Sequence, residues 1–424
     1  MKRKIIFVSI ISMMLLSSCQ NPFASVVSVA QSSSLIPSIE TSSQNTSSGI
    51  SDSIGSVSSS VAEGTYDSLA INVMTLGNHY AGDSIYIKAG DKDILIDAGS
   101  RHSSTPVVEN YIDTHGCTDK SLEYLILTHG DQDHVEGMTT SGSDAGILDY
   151  YSVGAIIDNQ FSNKTTVGYK NYISRRDALV TAGTTVHHTA DYYFTLDDTT
   201  NEYVANSYNH IELTPTISMD VIYNYFYFNK GSDENNYSVS VMFNQGTNHF
   251  LLTGDLEESG EAKMVQYYAS RDGLPHVKFF KAGHHGSYTA STSVLLDQIT
   301  PEMCAVSCVA GTEEYTYNTD RQFPSQSFID RIAPHTSKVF ITSMTEYKAD
   351  RYPENNRVDM NGNIVCAADS SGNVTMTGSA SSISLKDTGW MKTIISRSTE
   401  ESKTRVDNGV GYPRIWPSSP STYN

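Results

Sequence analysis

Between Thr128 and His134 the chain reads Thr-His-Gly-Asp-Gln-Asp-His, placing His129, Asp131, Asp133 and His134 within six consecutive positions. Imidazole nitrogen and carboxylate oxygen are the usual ligands of borderline and hard divalent cations. In an extended or turning backbone His129, Asp131 and Asp133 alternate, so their side chains converge on one side. His134 follows round the turn, within reach of a second ion. Two further stretches supply more of the same chemistry. Asp255 ends Leu-Leu-Thr-Gly-Asp, and His284 and His285 sit together in Lys-Ala-Gly-His-His-Gly-Ser. The combined set suits two divalent cations bridged by a carboxylate, and so hydrolysis by a metal-activated hydroxide with no protein nucleophile. No glycine-rich nucleotide loop or Ser-His-Asp arrangement competes for that role.

Such residues need strands to bring them together. Leu122 to Leu127 is an apolar run that predicts a buried strand ending at the first ligands, where open α/β architectures place their chemistry. Ile94-Leu95-Ile96 is another, and it ends in Asp97-Ala98-Gly99. Ser238 to Phe243 and His249 to Leu252 read as a hairpin delivering Asp255, and Val277 to Lys281 as the strand delivering His284 and His285. Strands are also expected over 69–76, 84–88, 153–157, 221–228, 305–309 and 339–342, with a last hairpin over 362–376. Helices are expected over 105–115, 169–182, 257–270, 293–299 and 326–332. Tyr192 to Tyr208 is polar and tyrosine-rich, and reads as an insertion.

The motifs, taken in order, are strand-Asp97-Ala-Gly, Thr-His-x-Asp-x-Asp-His, Leu-Leu-Thr-Gly-Asp255 and Lys-x-Gly-His-His-Gly-Ser. Their succession resembles the metallo-β-lactamase superfamily, in particular the hydrolase domain of ComEC-type DNA-internalisation competence proteins. The similarity runs from Ser68 to Met376 and omits the membrane channel of those proteins. It implies an α+β fold, a four-layer αββα sandwich. It also implies His129 and Asp131 on one metal, Asp133 and His134 on the other, and Asp255 between them. One of His284 and His285 would complete the second site, and its neighbour would contact a phosphate oxygen and protonate the leaving group. Asp133, His284 and His285 would carry the catalytic step. Asp97 would hold the ligand loop from behind, Asn236 or Asn235 would precede the Ser238-Val239 strand, and Ser287 would offer a hydroxyl and an amide to an anion.

Two departures bear on substrate and metal. True β-lactamases have histidine where Asp131 stands, and a further ligand histidine before the bridging aspartate. His187, His188, His210 and His249 read instead as surface or structural residues. A carboxylate at 131 makes the first site oxygen-rich and moves preference from zinc toward manganese. The expected substrate is therefore a phosphodiester, in nucleic acid, a wall polymer or a small molecule. A hydrolase of C–O or C–N bonds (lactone, thioester or β-lactam) is the alternative enzyme, and a non-catalytic surface binding module the alternative outside enzymology.

The rest of the 424 residues frames that domain. Lys2, Arg3 and Lys4 precede an apolar run, Ile5 to Leu16, too short for a bilayer core of about 30 Å. It ends in Leu16-Ser17-Ser18-Cys19, which resembles a lipoprotein signal cleaved before a lipidated Cys19. That gives a signal peptide over 1–18 and a chain exported and anchored by lipid to the outer face of a bacterial cell membrane. Residues 19–63 are dominated by serine and predict a disordered linker. The hydrolase domain is expected over 64–378 and a polar tail over 379–424. A net charge of −19 gives no basic footprint for non-specific nucleic-acid binding, although metal ions locally invert a site's charge. Cys304 and Cys308 lie roughly 13 Å apart if on one strand, too far for a disulfide. No protein partner is evident.

Overall fold

Isoleucines 85, 87, 94 and 96 alternate with Tyr86 and Leu95 along two neighbouring strands, and all six side chains are buried. A strand buried on both faces needs a covering layer on each side. Tyr86 and Leu95 pack with Val108, Ile112 and Tyr172 from helices, while the isoleucines point the other way. The same division recurs in the second half, where Met242, Leu251 and Phe280 pack with helical Met264, Leu296 and Phe328. Their strand neighbours Val241, Phe243, Phe250 and Phe279 are buried outside that cluster. By strand alternation they lie on the face of their sheet turned away from those helices, as the isoleucines do on theirs. Each such buried aliphatic or aromatic side chain is worth about 1.5–3 kcal/mol, so this double layer dominates the stability.

The computed structural model describes residues 65–197, 202–205, 208–312, 321–345, 357–388, 390–391, 414 and 416–417. The first sheet is built from β1 (Leu69–Val73), β2 (Ile85–Ala89), β3 (Lys92–Ile96), β4 (Ser121–Ile126), β5 (Ser152–Asp158) and β6 (Thr185–His188). A small hairpin follows, β7 (Phe194–Asp197) with β8 (Glu202–Ala205). The second sheet comprises β9 (His210–Glu212), β10 (Ile217–Ile222), β11 (Ser240–Gln245), β12 (Asn248–Leu252), β13 (Phe279–Lys281), β14 (Cys304–Ala310), β15 (Val339–Thr345) and β16 (Arg357–Asp359), in reverse spatial order. The chain then returns to the first sheet with β17 (Ile364–Ala368) and β18 (Val374–Gly378), giving the order β18-β17-β1-β2-β3-β4-β5-β6.

The longer helices are α1 (Thr105–Thr114), α2 (Val167–Ala182), α3 (Glu258–Ala269), α4 (Ser293–Ile299) and α5 (Gln326–Ile332). Thr166 caps α2 by accepting from the Tyr169 amide, and Gly183, at φ 112°, ends it. The first two helices cover one sheet and the other three cover the second. This is the four-layer αββα sandwich.

The strand expected over 221–228 is a correction. β10 ends at Ile222, the Asn224 side chain accepts from the Phe226 amide, and Tyr225–Tyr227 form a 3-10 turn. The aromatic alternation there serves ring packing, with Tyr223 stacked on Tyr267 at 3.7 Å. Cys117, Cys304, Cys308 and Cys366 are all free and buried. The signal peptide, Cys19, the linker as far as residue 64 and most of the C-terminal tail lie outside the described residues. Among the described residues, no helix is long and apolar enough to cross a membrane.

Candidate metal centre

Four strand ends build the centre. β3 and β4 run parallel and deliver Asp97 and the 129–134 loop, while β12 and β13 run parallel and deliver Asp255 and the histidine pair. Val239 N donates to Thr128 O at 2.9 Å across the two sheets, and His284 N to Gly254 O at 3.2 Å and Asp255 N to Ser238 Oγ at 3.0 Å tie the loops of the second sheet to one another. His284 and His285 occupy consecutive left-handed conformations, at φ 45° and 53°. Each costs on the order of 1–3 kcal/mol, and such strain persists where surrounding contacts over-determine it. Here the two rings stand 6.0 Å apart at an interplanar angle of 70°.

Asp133, His134, Asp255 and His285 converge, with one ligand atom from each within 4.8 Å of all the others. His134 Nε2 lies 3.2 Å from Asp255 Oδ2, and His285 Nε2 lies 3.3 Å from both Asp255 Oδ2 and Asp133 Oδ2. Tetrahedral ligands about 2.1 Å from one ion sit about 3.4 Å from each other. The spacing fits. His129 Nε2, His134 Nε2, His285 Nε2 and Asp255 Oδ1 are buried with no hydrogen-bond partner among the described residues. Leaving such atoms unpaired in a protein interior is costly, and a cation satisfies them together.

The far side of each ring explains its orientation. Asp97 Oδ2 accepts from His134 Nδ1 at 2.7 Å, and Ser307 O accepts from His285 Nδ1 at 2.8 Å. Both arrangements leave Nε2 as the nitrogen that faces the centre. Burial alone would lower the pKa of these two imidazoles, but the Asp255 carboxylate, with Asp97 behind His134 and Asp83 behind His285, holds both well above the ordinary value. Burial would raise Asp255, yet His134, His285 and His284 hold it well below the usual carboxylate range. The pocket strongly favours positive charge.

The first metal position is less complete. His129 Nε2 and Asp131 Oδ2 are 3.5 Å apart, and the other oxygen of Asp131 pairs with Lys164 Nζ. Asn235 and Asn236 do not join it. Asn235 Nδ2 faces Glu257 Oε1 at 3.2 Å, and Asn236 Oδ1 accepts from Gly260 N at 3.0 Å near the start of α3. His188, His210 and His249 bond Asp158, Asp220 and Asn244, away from the cluster.

His284 stands apart from its neighbour. Its Nε2 is 3.9 Å from Asp255 Oδ2, and its Nδ1 donates to Glu257 Oε1 at 3.0 Å. Burial works against the Glu257 carboxylate, but hydrogen bonds from His284, Asp233 and Thr289 bring its pKa down to about 2. Ser287 is buried; its amide donates to His284 O and its hydroxyl pairs with Thr289, so neither group is aimed at an anion. Several contributors carry no sequence signal. Glu234 accepts from Gly130 N at 2.9 Å, Ser162 Oγ at 2.6 Å and Asn163 N at 2.5 Å, clamping the first ligand loop. A side chain at Gly130 would stand 2.8 Å from that carboxylate.

Residues 77–139 match the family described as the metallo-beta-lactamase superfamily. Recombination protein 2 of Haemophilus influenzae is 27% identical over 266 residues, 62% of this chain and 26% of that protein. Competence protein ComA of Neisseria gonorrhoeae is 28% identical over 116 residues, 27% of this chain and 15% of that protein. The chain thus spans about a quarter or less of either relative's length. Among solved structures, the metallo-beta-lactamase fold protein YhfI from Bacillus subtilis aligns with a TM-score of 0.35 and 10% identity, over 66% of this chain and 97% of that one. Human tRNase Z, short form, aligns at 0.32 and 12%, over 64% and 92%.

Proposed function

We propose that the chain is a ComEC-like protein of the metallo-β-lactamase superfamily, and that it acts as a dinuclear metal-dependent phosphodiesterase tethered outside the cell by lipid. One observation carries the reading: the unpartnered, buried Nε2 atoms of His134 and His285 converge on Asp255 Oδ2, at 3.2 and 3.3 Å, with Asp133 Oδ2 3.3 Å from the second of them. Asp133, His134, Asp255 and His285 would hold one divalent ion. His129 and Asp131 would hold the other, with Asp255 between. Two such ions supply Lewis acidity toward phosphoryl oxygens and lower the pKa of a bound water.

The protein's own groups divide the remaining work. Asp97 and Ser307 O fix the histidine ligands so that no reorientation is needed during turnover. Glu257 accepts from His284 Nδ1, which directs His284 Nε2 toward the mouth of the centre. His284 is 22% exposed where His285 is sealed, so it is the imidazole that substrate reaches. It would donate the proton that a departing alkoxide requires. The carboxylate at Asp131 favours manganese over zinc at the first position, and a phosphodiester suits an oxygen-rich pair of sites better than a β-lactam does. Similarity to proteins named for recombination and competence supports a nucleic-acid substrate.

The test is hydrolysis of bis-p-nitrophenyl phosphate and of nitrocefin by chelator-treated protein reloaded with manganese or zinc. Metal-dependent turnover of the phosphodiester alone is expected; turnover of nitrocefin alone would overturn the reading. Tethering rests on Leu16-Ser17-Ser18-Cys19. Labelling with a fatty-acid analogue should mark the wild-type chain and not Cys19→Ala, and equal labelling of both would exclude lipid on that thiol.

A further inference from the structure

Directly behind His285 lies an ion pair that the chemistry above does not use. Lys281, the last residue of β13, is completely buried. Its Nζ donates to Asp83 Oδ2 at 2.8 Å and to Ala282 O at 2.9 Å. Asp83 comes from the loop before β2, in the other sheet, and is 1% exposed. Its second oxygen accepts from Ser307 Oγ and lies 3.5 Å from His285 Nδ1. Ser307 is also the residue whose carbonyl seats His285 Nδ1. The main chain of Asp83 is equally committed: its amide donates to Asp133 O at 3.1 Å, and its carbonyl accepts from Gly99 N at 2.8 Å. Gly82 allows this approach, since a Cβ there would stand 2.5 Å from Asp133 O at φ 156°.

A buried pair of this kind adds little net stability over an apolar pair of the same volume, because desolvating two charges consumes most of what their attraction returns. Its value must lie in placement. Asp83 touches the main chain of one metal ligand and the carbonyl-bearing residue behind another. Lys281 has a second consequence. Asp83, Asp97 and His134 form a buried group of their own, with ligand atoms within 4.8 Å of one another, immediately behind the metal centre. Two carboxylates and an imidazole at that spacing would attract a cation to the wrong side of His134. The ammonium group of Lys281 already lies on Asp83.

We propose that the Asp83–Lys281 pair is a positioning device for the metal centre: it locks Asp133 and His285 in ligating orientation, and its fixed ammonium keeps a metal ion out of the acidic pocket behind them. The proposal rests on the metal-centre reading above and concerns only these residues' effect on binding. Three variants of the full chain test it: Lys281→Met, which strands a buried carboxylate; Asp83→Asn with Lys281→Met, which removes both charges; and Ser307→Ala, which leaves the pair but frees one Asp83 oxygen.

The readouts are metal stoichiometry, cobalt(II) affinity by chelator competition, and the cobalt(II) absorption spectrum, none of which requires turnover. The double variant should melt near wild type, yet bind cobalt 10–100-fold more weakly with shifted visible bands. Ser307→Ala should show a smaller weakening in the same direction. Lys281→Met should either fail to fold or bind an ion with an altered spectrum. Wild-type stoichiometry, affinity and spectrum in both Ser307→Ala and the double variant would overturn the positioning role alone. If the double variant fails to fold, an unchanged Ser307→Ala overturns it by itself. A wild-type chain that binds no cobalt would overturn this proposal and the metal-centre reading together.

Discussion

Asp97 Oδ2 lies 2.7 Å from His134 Nδ1, and both side chains are sealed from solvent. The same carboxylate accepts from Thr128 N at 2.8 Å and Thr128 Oγ1 at 2.7 Å, so it fixes the ring and the loop that carries it. Asp97 adopts a left-handed conformation, at φ 58°, which Asp and Asn tolerate better than most residues. Asp97→Asn should therefore fold. Its amide would turn an N–H toward His134 Nδ1, drive the proton to Nε2 and remove the lone pair that binds metal. A 10–100-fold loss of metal affinity is expected, measured by chelator competition. Unchanged affinity would mean that the carboxylate does not set the tautomer.

His284 and Glu257 predict a kinetic signature distinct from metal loss. His284 Nδ1 donates to Glu257 at 3.0 Å, while its Nε2 remains 3.9 Å from Asp255 and outside the converging group. His284→Asn should keep its metal and lose about 10²–10⁴-fold in kcat on alkyl phosphodiesters. On p-nitrophenyl esters, whose leaving group needs no proton, the loss should be much smaller. Glu257→Gln should fall between wild type and His284→Asn. Equal losses on both substrates would remove His284 from the proton-donor role.

How much of this could be read from the sequence depended on separation along the chain. His129, Asp131, Asp133 and His134 follow one apolar strand directly, so their pattern survives in one dimension. His284 and His285 were indistinguishable there, because only the two left-handed turns of backbone send one ring inward and the other to Glu257. Asp83 and Lys281 sit in opposite sheets, 198 residues apart, and neither has a neighbour that hints at a partner. The 221–228 stretch misled for a related reason. Its aromatic residues alternate as in a strand, yet Tyr223 stacks on Tyr267 of α3 and Tyr225–Tyr227 turn away as a 3-10 turn. β6 is four residues long and includes two histidines, too short and polar to register as a strand although it pairs fully with β5.

Lys164 predicts an inequality between the two metal positions. Its ammonium contacts one oxygen of Asp131, while the four ligands of the other site already converge. An ion entering beside His129 must displace or share that contact; an ion beside His285 meets no such competitor. Titration with manganese should show two classes of site, with the weaker one strengthened in Lys164→Ala. The expected gain is about 2–5-fold, since an ion pair that is partly exposed is worth about 1 kcal/mol or less. Two equal sites in wild type, unchanged by the substitution, would contradict the inequality.

Glu261 predicts how stability depends on pH. This residue of α3 is fully buried and accepts from Ser291 N at 2.6 Å and Thr292 N at 2.7 Å. Ser291 Oγ in turn accepts from Gly283 N at 3.0 Å, so the carboxyl anchors the segment that follows the histidine pair. Burial pushes its pKa from 4.5 up to about 7, against the hydrogen bonds from Thr292 and Ser291 and the charge of Arg331. The folded chain therefore holds this proton more tightly than the unfolded chain does. The resulting stabilisation is complete below about pH 4.5 and is lost as pH rises through about 7, with a magnitude on the order of 3 kcal/mol. Glu261→Gln cannot titrate, and its amide oxygen could accept from only one of the two backbone N–H groups, leaving its NH2 facing the other at a cost of about 1–3 kcal/mol at every pH. Urea melts of metal-free protein should show wild type more stable at pH 5, with the gap to Glu261→Gln narrowing steadily toward pH 8. A constant gap across that range would mean that the carboxyl stays ionised throughout, and that its amide donors and Arg331 outweigh burial.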